Sequence, residues 1–167
     1  MTATDVSAEP MPALDDPRLT AMGLLAETYK GLSSVLAPQI REHGMNDTEF
    51  EVLLRLVRSP GHRLRMSDLA DQTALSTSGI TRVVDRLERD GLVCRETCVT
   101  DRRGFWAALT STGSDRILGA VDGHTALLDE YFTGRLSPAE LEALTSALRK
   151  VRDVVRPGAE AGAHAVV

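Results

Sequence analysis

The chain has 167 residues, two cysteines and a formal net charge of −5, with 43% hydrophobic and 26% charged residues. That length suits one domain able to bury a sizeable core, and the composition is ordinary for a globular protein, which argues against a disordered or disulfide-stapled chain. No apolar run approaches the length that spans a bilayer, and the opening MTATDVSAEPMPALDDP lacks the basic and apolar regions of a secretory leader, so a cytoplasmic protein with free thiols and no membrane partner is expected.

The acidity is unevenly distributed. Residues 1–50 carry 3 basic and 8 acidic side chains, residues 51–110 carry 10 and 8, and residues 111–167 carry 6 and 8. Only the middle third is net positive, and a local cationic face is compatible with an acidic whole.

In chain order, residues 1–16 are rich in Ala, Pro and acids and are expected to be a disordered tail. Pro17 suits a helix start, and Leu24, Leu25, Tyr29, Leu32, Val35 and Leu36 keep helical spacing after it. Pro38 removes an N–H and crowds the preceding turn, so the helix is expected to kink or end there, short of Glu42. Gly44 and Asn46 mark a turn, and Asn46-Asp47-Thr48-Glu49 has the form of a capping box. It opens a helix to about Arg58 that buries Phe50, Leu53, Leu54 and Val57, closed by Ser59-Pro60-Gly61. Arg63 to Met66 reads as a short strand.

Residues 66–110 follow with almost no slack. Ser67 is placed to cap a short helix, Thr73-Ala74-Leu75 makes a turn, and Ser76 is placed to cap a second helix. That helix has Ile80, Val83, Val84 and Leu87 on one stripe and Ser78, Thr81, Arg82, Asp85 and Arg89 on the opposite face. Gly91 stops it. Leu92-Val93-Cys94-Arg95 and Phe105 to Leu109 then flank Thr100-Asp101-Arg102-Arg103-Gly104, a hairpin with two arginines at its tip. Helix, turn, helix and basic hairpin make a winged helix-turn-helix, whose chemistry suits double-stranded DNA. Small polar groups and an arginine are aimed at base edges, and a cationic loop at the backbone or minor groove.

Thr110 is placed to cap a long helix through Ile117, Leu118, Val121, Leu128 and Phe132, in which Gly119 and Gly123 each cost about 1 kcal/mol against alanine. Ser137-Pro138-Ala139-Glu140 opens the last helix, with Leu141, Leu144, Leu148, Val151 and Val155 on one face. Pro157-Gly158 stops it, and residues 157–167 are expected to be a flexible tail. The fold class is therefore mainly α with a small β component. Residues 46–110 form the winged module, and residues 17–45 with 111–156 form a helical subdomain.

The sequence resembles the MarR family of regulators. The likeness rests on Leu69-Ala70, the run Leu75 to Arg82, Asp85-Arg86-Leu87, Gly91-Leu92-Val93, and Asp101-Arg102-Arg103-Gly104 leading to Leu109-Thr110-Ser111-Thr112-Gly113. It implies a ligand-responsive transcriptional regulator, most often a repressor. The outer helices would interlock two copies into a homodimer, and each copy would read one half of a pseudo-palindromic site. Thr77, Ser78, Thr81 and Arg82 would enter the major groove, with Arg82 suited to bidentate contact with guanine. Ser67, Ser76, Arg86 and Arg89 would serve the DNA backbone. In the wing, Asp101 would brace the hairpin, Arg103 would enter the minor groove and Arg102 would add a cation. A small, often aromatic, effector would bind between the dimer helices and the winged module, near Leu25, Tyr29, Phe50 and His62.

Two other classes stay open: a winged helix used only to bind proteins, and a thiol-based redox sensor using Cys94 or Cys98. Four residues apart on a strand, these cysteines lie about 13 Å apart, too far for a disulfide within the chain, and they read as semi-buried small hydrophobes. The histidines are scattered, so no metal or cofactor is expected. No nucleophile elbow, phosphate-binding glycine loop or HExxH appears, and enzymatic activity is not expected.

Overall fold

A computed structural model describes residues 15–97 and 104–161. Six helices and three strands follow in order: α1 Pro17–Glu42, α2 Asp47–Val57, β1 Arg63–Arg65, α3 Met66–Thr73, α4 Thr77–Arg89, β2 Val93–Thr97, β3 Phe105–Leu109, α5 Ser111–Tyr131 and α6 Pro138–Val155. The helical chain with one small antiparallel sheet matches the expected class.

Asp16, read above as part of the tail, instead caps α1 by accepting the Arg18 N–H at 2.8 Å. Helix α1 also corrects the expectation at Pro38, since it runs unbroken to Glu42 with the proline inside. Pro38 and Ser34 are both exposed, so the Ser34 carbonyl that loses its donor can meet water. The turn beyond is held in place by buried Ile40 and by Gln39, whose Nε2 donates to the Ala120 carbonyl at 3.0 Å. Helix α2 opens on the expected capping box. Asn46 accepts from the Glu49 N–H at 3.0 Å, and Glu49 accepts from the Asn46 N–H at 2.9 Å.

Strands lie in the order β1-β3-β2, all antiparallel, with Arg65 opposite Trp106 and Cys94 opposite Ala108. Because β1 pairs through Arg65 and α3 starts at Met66, Ser67 falls inside the helix and does not cap it. Arg65 holds the cap position without a side-chain bond, and the Ser67 hydroxyl lies 3.4 Å from Asp68 Oδ1. Ala74 ends α3 at φ 55, the left-handed conformation of a tight helix-turn-helix corner.

The Leu-Thr-x-x-Gly run now has a physical reason. Thr110 caps α5 by accepting the Gly113 N–H at 3.0 Å, and its hydroxyl donates to the Gly91 carbonyl at 2.7 Å. A Cβ on Gly113 would stand 2.0 Å from the Leu92 carbonyl oxygen, so only glycine lets α5 start against the corner between α4 and β2. Gly91, at φ +71, makes that corner.

Leu53, Leu56, Leu64, Leu69, Ile80 and Leu87 form a closed core inside the winged module, with Ile117 of α5 joining it. Helix α6 buries none of its side chains, and Leu141, Leu144, Leu148, Val151 and Val155 all stay at least partly accessible. Within the stretch expected to be a flexible tail, residues 157–161 are ordered against the core, and 162–167 lie outside the described residues. Pro157–Glu160 forms a 3-10 turn with Ala159 buried, because the carbonyls of Ala159 and Ala161 accept from Arg55 and from Gln72.

Candidate nucleic-acid interface

Helix α4 is fixed at its start by Ser76, whose hydroxyl accepts the Gly79 N–H at 3.1 Å and lies 3.1 Å from Ser78 Oγ. Its stripe of Ile80, Val83, Val84 and Leu87 is buried. Thr77, Ser78, Thr81, Arg82, Asp85, Arg86 and Arg89 are exposed. Burial of one stripe thus decides what the opposite face presents. Thr81 donates its hydroxyl to the Thr77 carbonyl at 2.7 Å, which leaves its oxygen as an acceptor and its methyl as an apolar contact.

The two flanks of α4 carry charge in different ways. On one, Arg95 of β2 reaches both carboxylates: its Nη2 donates to Asp85 Oδ1 at 2.6 Å, its Nη1 donates to Glu88, and its backbone N–H donates to Glu88 Oε1 at 3.1 Å. Partial burial works against the Arg95 charge, but the hydrogen bonds to Asp85 and Glu88 raise its pKa above the ordinary value. The acids that would repel phosphate are thereby neutralised, and strand β2 is tied to the recognition helix. On the other flank, Arg86 Nε pairs with buried Glu49 Oε1 at 2.8 Å. Arg86 therefore braces α4 against α2 as well as presenting charge. Among the described residues neither Arg82 nor Arg89 is drawn into an ion pair. Arg41, Arg82 and Arg86 border a cavity of about 500 Å³ against Asn46 and Thr48 at the start of α2.

At the base of the wing, the guanidinium carbons of Arg63 and Arg65 lie 5.1 and 5.4 Å from the ring centroid of Trp106. Arg63 pairs with Glu96 at 3.0 Å. Sequence reading placed Trp106 on the wing but missed this stack, although alternation along β1 and β3 puts all three on one face. Cys94 is exposed, not semi-buried, because it shares that outward register. Asp101, Arg102, Arg103 and Cys98 lie outside the described residues.

The four residues read as an effector pocket are not brought together. Leu25 borders an apolar cavity of about 620 Å³ between α1, α5 and α6, with Leu24, Tyr131 and Leu148. Phe50 borders a second cavity, of about 310 Å³, with Leu36, Glu51 and His124. Tyr29 borders both. His62 borders neither, because the turn that ends α2 folds it back and places its Nδ1 2.9 Å from the Val57 carbonyl. His124 was missed. Its ring centroid lies 4.5 Å from that of Phe50, its Nδ1 is buried with no hydrogen-bond partner among the described residues, and burial lowers its pKa from 6.5.

Comparison with known proteins agrees with this geometry. A model of the MarR family matches residues 43–104. The HTH-type transcriptional regulator MhqR of Bacillus subtilis is 33% identical over 128 residues, which cover 77% of this chain and 86% of MhqR. Among solved structures, AbsC, a MarR family transcriptional regulator from Streptomyces coelicolor, superposes with a TM-score of 0.79 at 32% identity, covering 85% of this chain and 96% of AbsC. Sco3205 from the same organism, a MarR family regulator solved in complex with DNA, gives a TM-score of 0.77 at 30% identity, covering 86% and 94%.

Proposed function

Because the chain belongs to the MarR family of transcriptional regulators, we propose that it is a homodimeric, ligand-responsive repressor that reads a pseudo-palindromic promoter site. The observation that carries this reading is the outward face of α4, where Ser78, Thr81, Arg82 and Arg89 stand exposed on a helix capped and braced on both flanks. Thr77, Ser78, Thr81 and Arg82 line the major groove, and Arg82 contacts a guanine edge. Ser76 and Arg89 meet phosphates, with Arg86 a shared brace and Ser67 a flanking hydroxyl near the start of α3. Arg103 enters the adjacent minor groove, where a narrow, A·T-rich step concentrates negative potential. Arg102 adds charge to the wing, and Asp101 braces it.

The second copy is supported by the apolar faces of α1 and α6. Leu24, Leu25, Tyr29, Leu148, Val151 and Val154 are each 40% or more exposed in one subunit, and a concentration of exposed large apolar side chains on the outer helices is what an interaction surface presents. Two copies then set half-sites about one helical turn, roughly 10 bp, apart. The effector occupies the Tyr29–Phe50–His124 cavity at the seam between the outer helices and the winged module. There it favours a helix spacing that DNA does not, and by linkage DNA weakens the effector in return.

Selection of bound duplexes from a random pool tests the reading. The expected product is a two-fold repeat whose binding weakens steeply as salt rises, because phosphate contacts release counterions. A pool that yields no enriched sequence, with binding indifferent to salt, would leave only a protein-binding winged helix.

A further inference from the structure

The segment that follows α6 grips the first helix of the helix-turn-helix. Arg156, the residue that follows α6, donates through Nη2 to the Asp71 carbonyl at 3.1 Å and the Gln72 carbonyl at 2.9 Å. These are among the last carbonyls of α3, at the negative end of the helix dipole, where the regular ladder runs out and Asp71 otherwise accepts only a long 3.4 Å bond from the Ala74 N–H. One guanidinium therefore acts as a C-cap supplied from 84 and 85 residues away. The grip continues past it. Gln72, only 3% exposed, donates to the Ala161 carbonyl at 2.6 Å, and Arg55 of α2 donates to the Ala159 carbonyl at 3.3 Å. Ala159 is 5% exposed, and Gly158 lies so close to α3 that an added Cβ would stand 3.1 Å from Asp71 Cβ. Arg152 pairs with Glu160 at 2.8 Å, which ties the strap back to α6.

Helix α6 buries no side chain of its own, so packing within the subunit does little to fix it. The winged module packs on α5 through Thr110, Gly113 and Ile117 and, by way of Phe50, through His124. The strap adds a separate attachment on α3, at Asp71 and Gln72, six and five residues before α4 begins at Thr77. We propose that Arg156 and the Pro157–Ala161 strap are positioning elements: they lock α3, and with it α4, at one separation from the paired α6 helices, so that a dimer accepts one half-site spacing. This rests on the dimeric reading above. DNA does not touch the strap. The strap raises the fraction of subunits whose recognition helices already stand at the right distance.

The test uses the full chain and a set of duplexes carrying the same selected half-sites, with base pairs added or removed between them. Two variants cut the strap by different means: Arg156→Ala removes the capping cation, and Gly158→Val pushes the strap off α3 without changing charge. Both are expected to stay folded and dimeric, and to keep the base preference within each half-site and the slope of binding against salt. Affinity at the best spacing should fall about tenfold, because apparent affinity scales with the competent fraction, while the penalty for altered spacing shrinks. Variants that match the wild type on every spacing overturn the proposal. So does loss of folding or of the dimer in both variants, since the strap would then be part of the fold. A wild-type protein that binds none of the duplexes, or binds them as a monomer, overturns the reading beneath it, and that result is distinguishable.

Discussion

The winged module and the outer helices treat apolar residues in opposite ways. Between Met45 and Ala108 most large apolar side chains among the described residues close on one another, with Leu53, Leu56, Leu64 and Leu69 each 1% exposed or less and Phe105, at 45%, an exception. In α1 and α6, residues at equally regular helical spacing stay in water, with Tyr29 at 72% and Val154 at 81%. Periodicity specifies which face of a helix wants burial but does not say whether the partner belongs to the same chain. Where neighbouring elements follow within a few residues, the partner is local. Where α1 and α6 each present an unmatched face, the spacing names no partner within the chain, and the second copy proposed above would supply it.

The contrast should be plainest in stability. Leu69→Ala opens a hole in a closed core and should cost about 2–5 kcal/mol in urea unfolding. Val154→Ala on a solvated face should stay within about 0.5 kcal/mol of wild type at low concentration. If a second copy covers the outer helices, the melting temperature rises with protein concentration, and Leu25→Asp abolishes that dependence. A concentration-independent melt in the wild type would break the contrast, because the outer helices would then be a stable monomer surface.

A smaller effect separates two arginines on the DNA face. Arg82→Ala should relax base preference at one position per half-site, by about 1–3 kcal/mol of discrimination. Arg103→Ala should weaken binding broadly, without changing preference at the major-groove positions, and lower the salt slope by about one. Both are read from binding to a panel of single-base variants at several salt concentrations. Equal behaviour of the two variants would remove the division between groove reading on α4 and charge in the wing.

Much of this was legible in the residues. Ser76, Asn46, Thr110 and Ser137 each announced a helix start that the structure forms, because capping is a local bond between residues two or three apart. The stripe Ile80-Val83-Val84-Leu87 announced which face of α4 is hidden. What stayed illegible was set by distant partners. Pro38 looked like a stop until buried Ile40 and the Gln39–Ala120 bond held the turn beyond it. Arg86 read as a contact to the DNA backbone, but Glu49 lies 37 positions earlier in sequence and meets it only in the fold. The strap looked like a tail for the same reason, since its donors sit on α2 and α3. His62 was assigned to the pocket because no local rule showed that the turn at Gly61, with φ +62, folds it away.

The smallest expected effect lies on the seam between the two regions. His124 of α5 packs on Phe50 of the winged module, and burial lowers its pKa from 6.5. The folded state therefore holds the ring neutral at a pH where the unfolded chain has begun to protonate it. Its contribution to stability is fully present above the unfolded value and is lost as pH falls through the lowered one, because the unfolded state then binds more protons. Urea midpoints should decline as pH drops below about 6.5, the ordinary histidine value, and the decline should be shallower in His124→Gln. If wild type and His124→Gln share the same slope, the seam does not distinguish the two charge states of His124. The ring would then be as well solvated there as in the unfolded chain, and the boundary between the closed core and the outer helices would lie further toward α2.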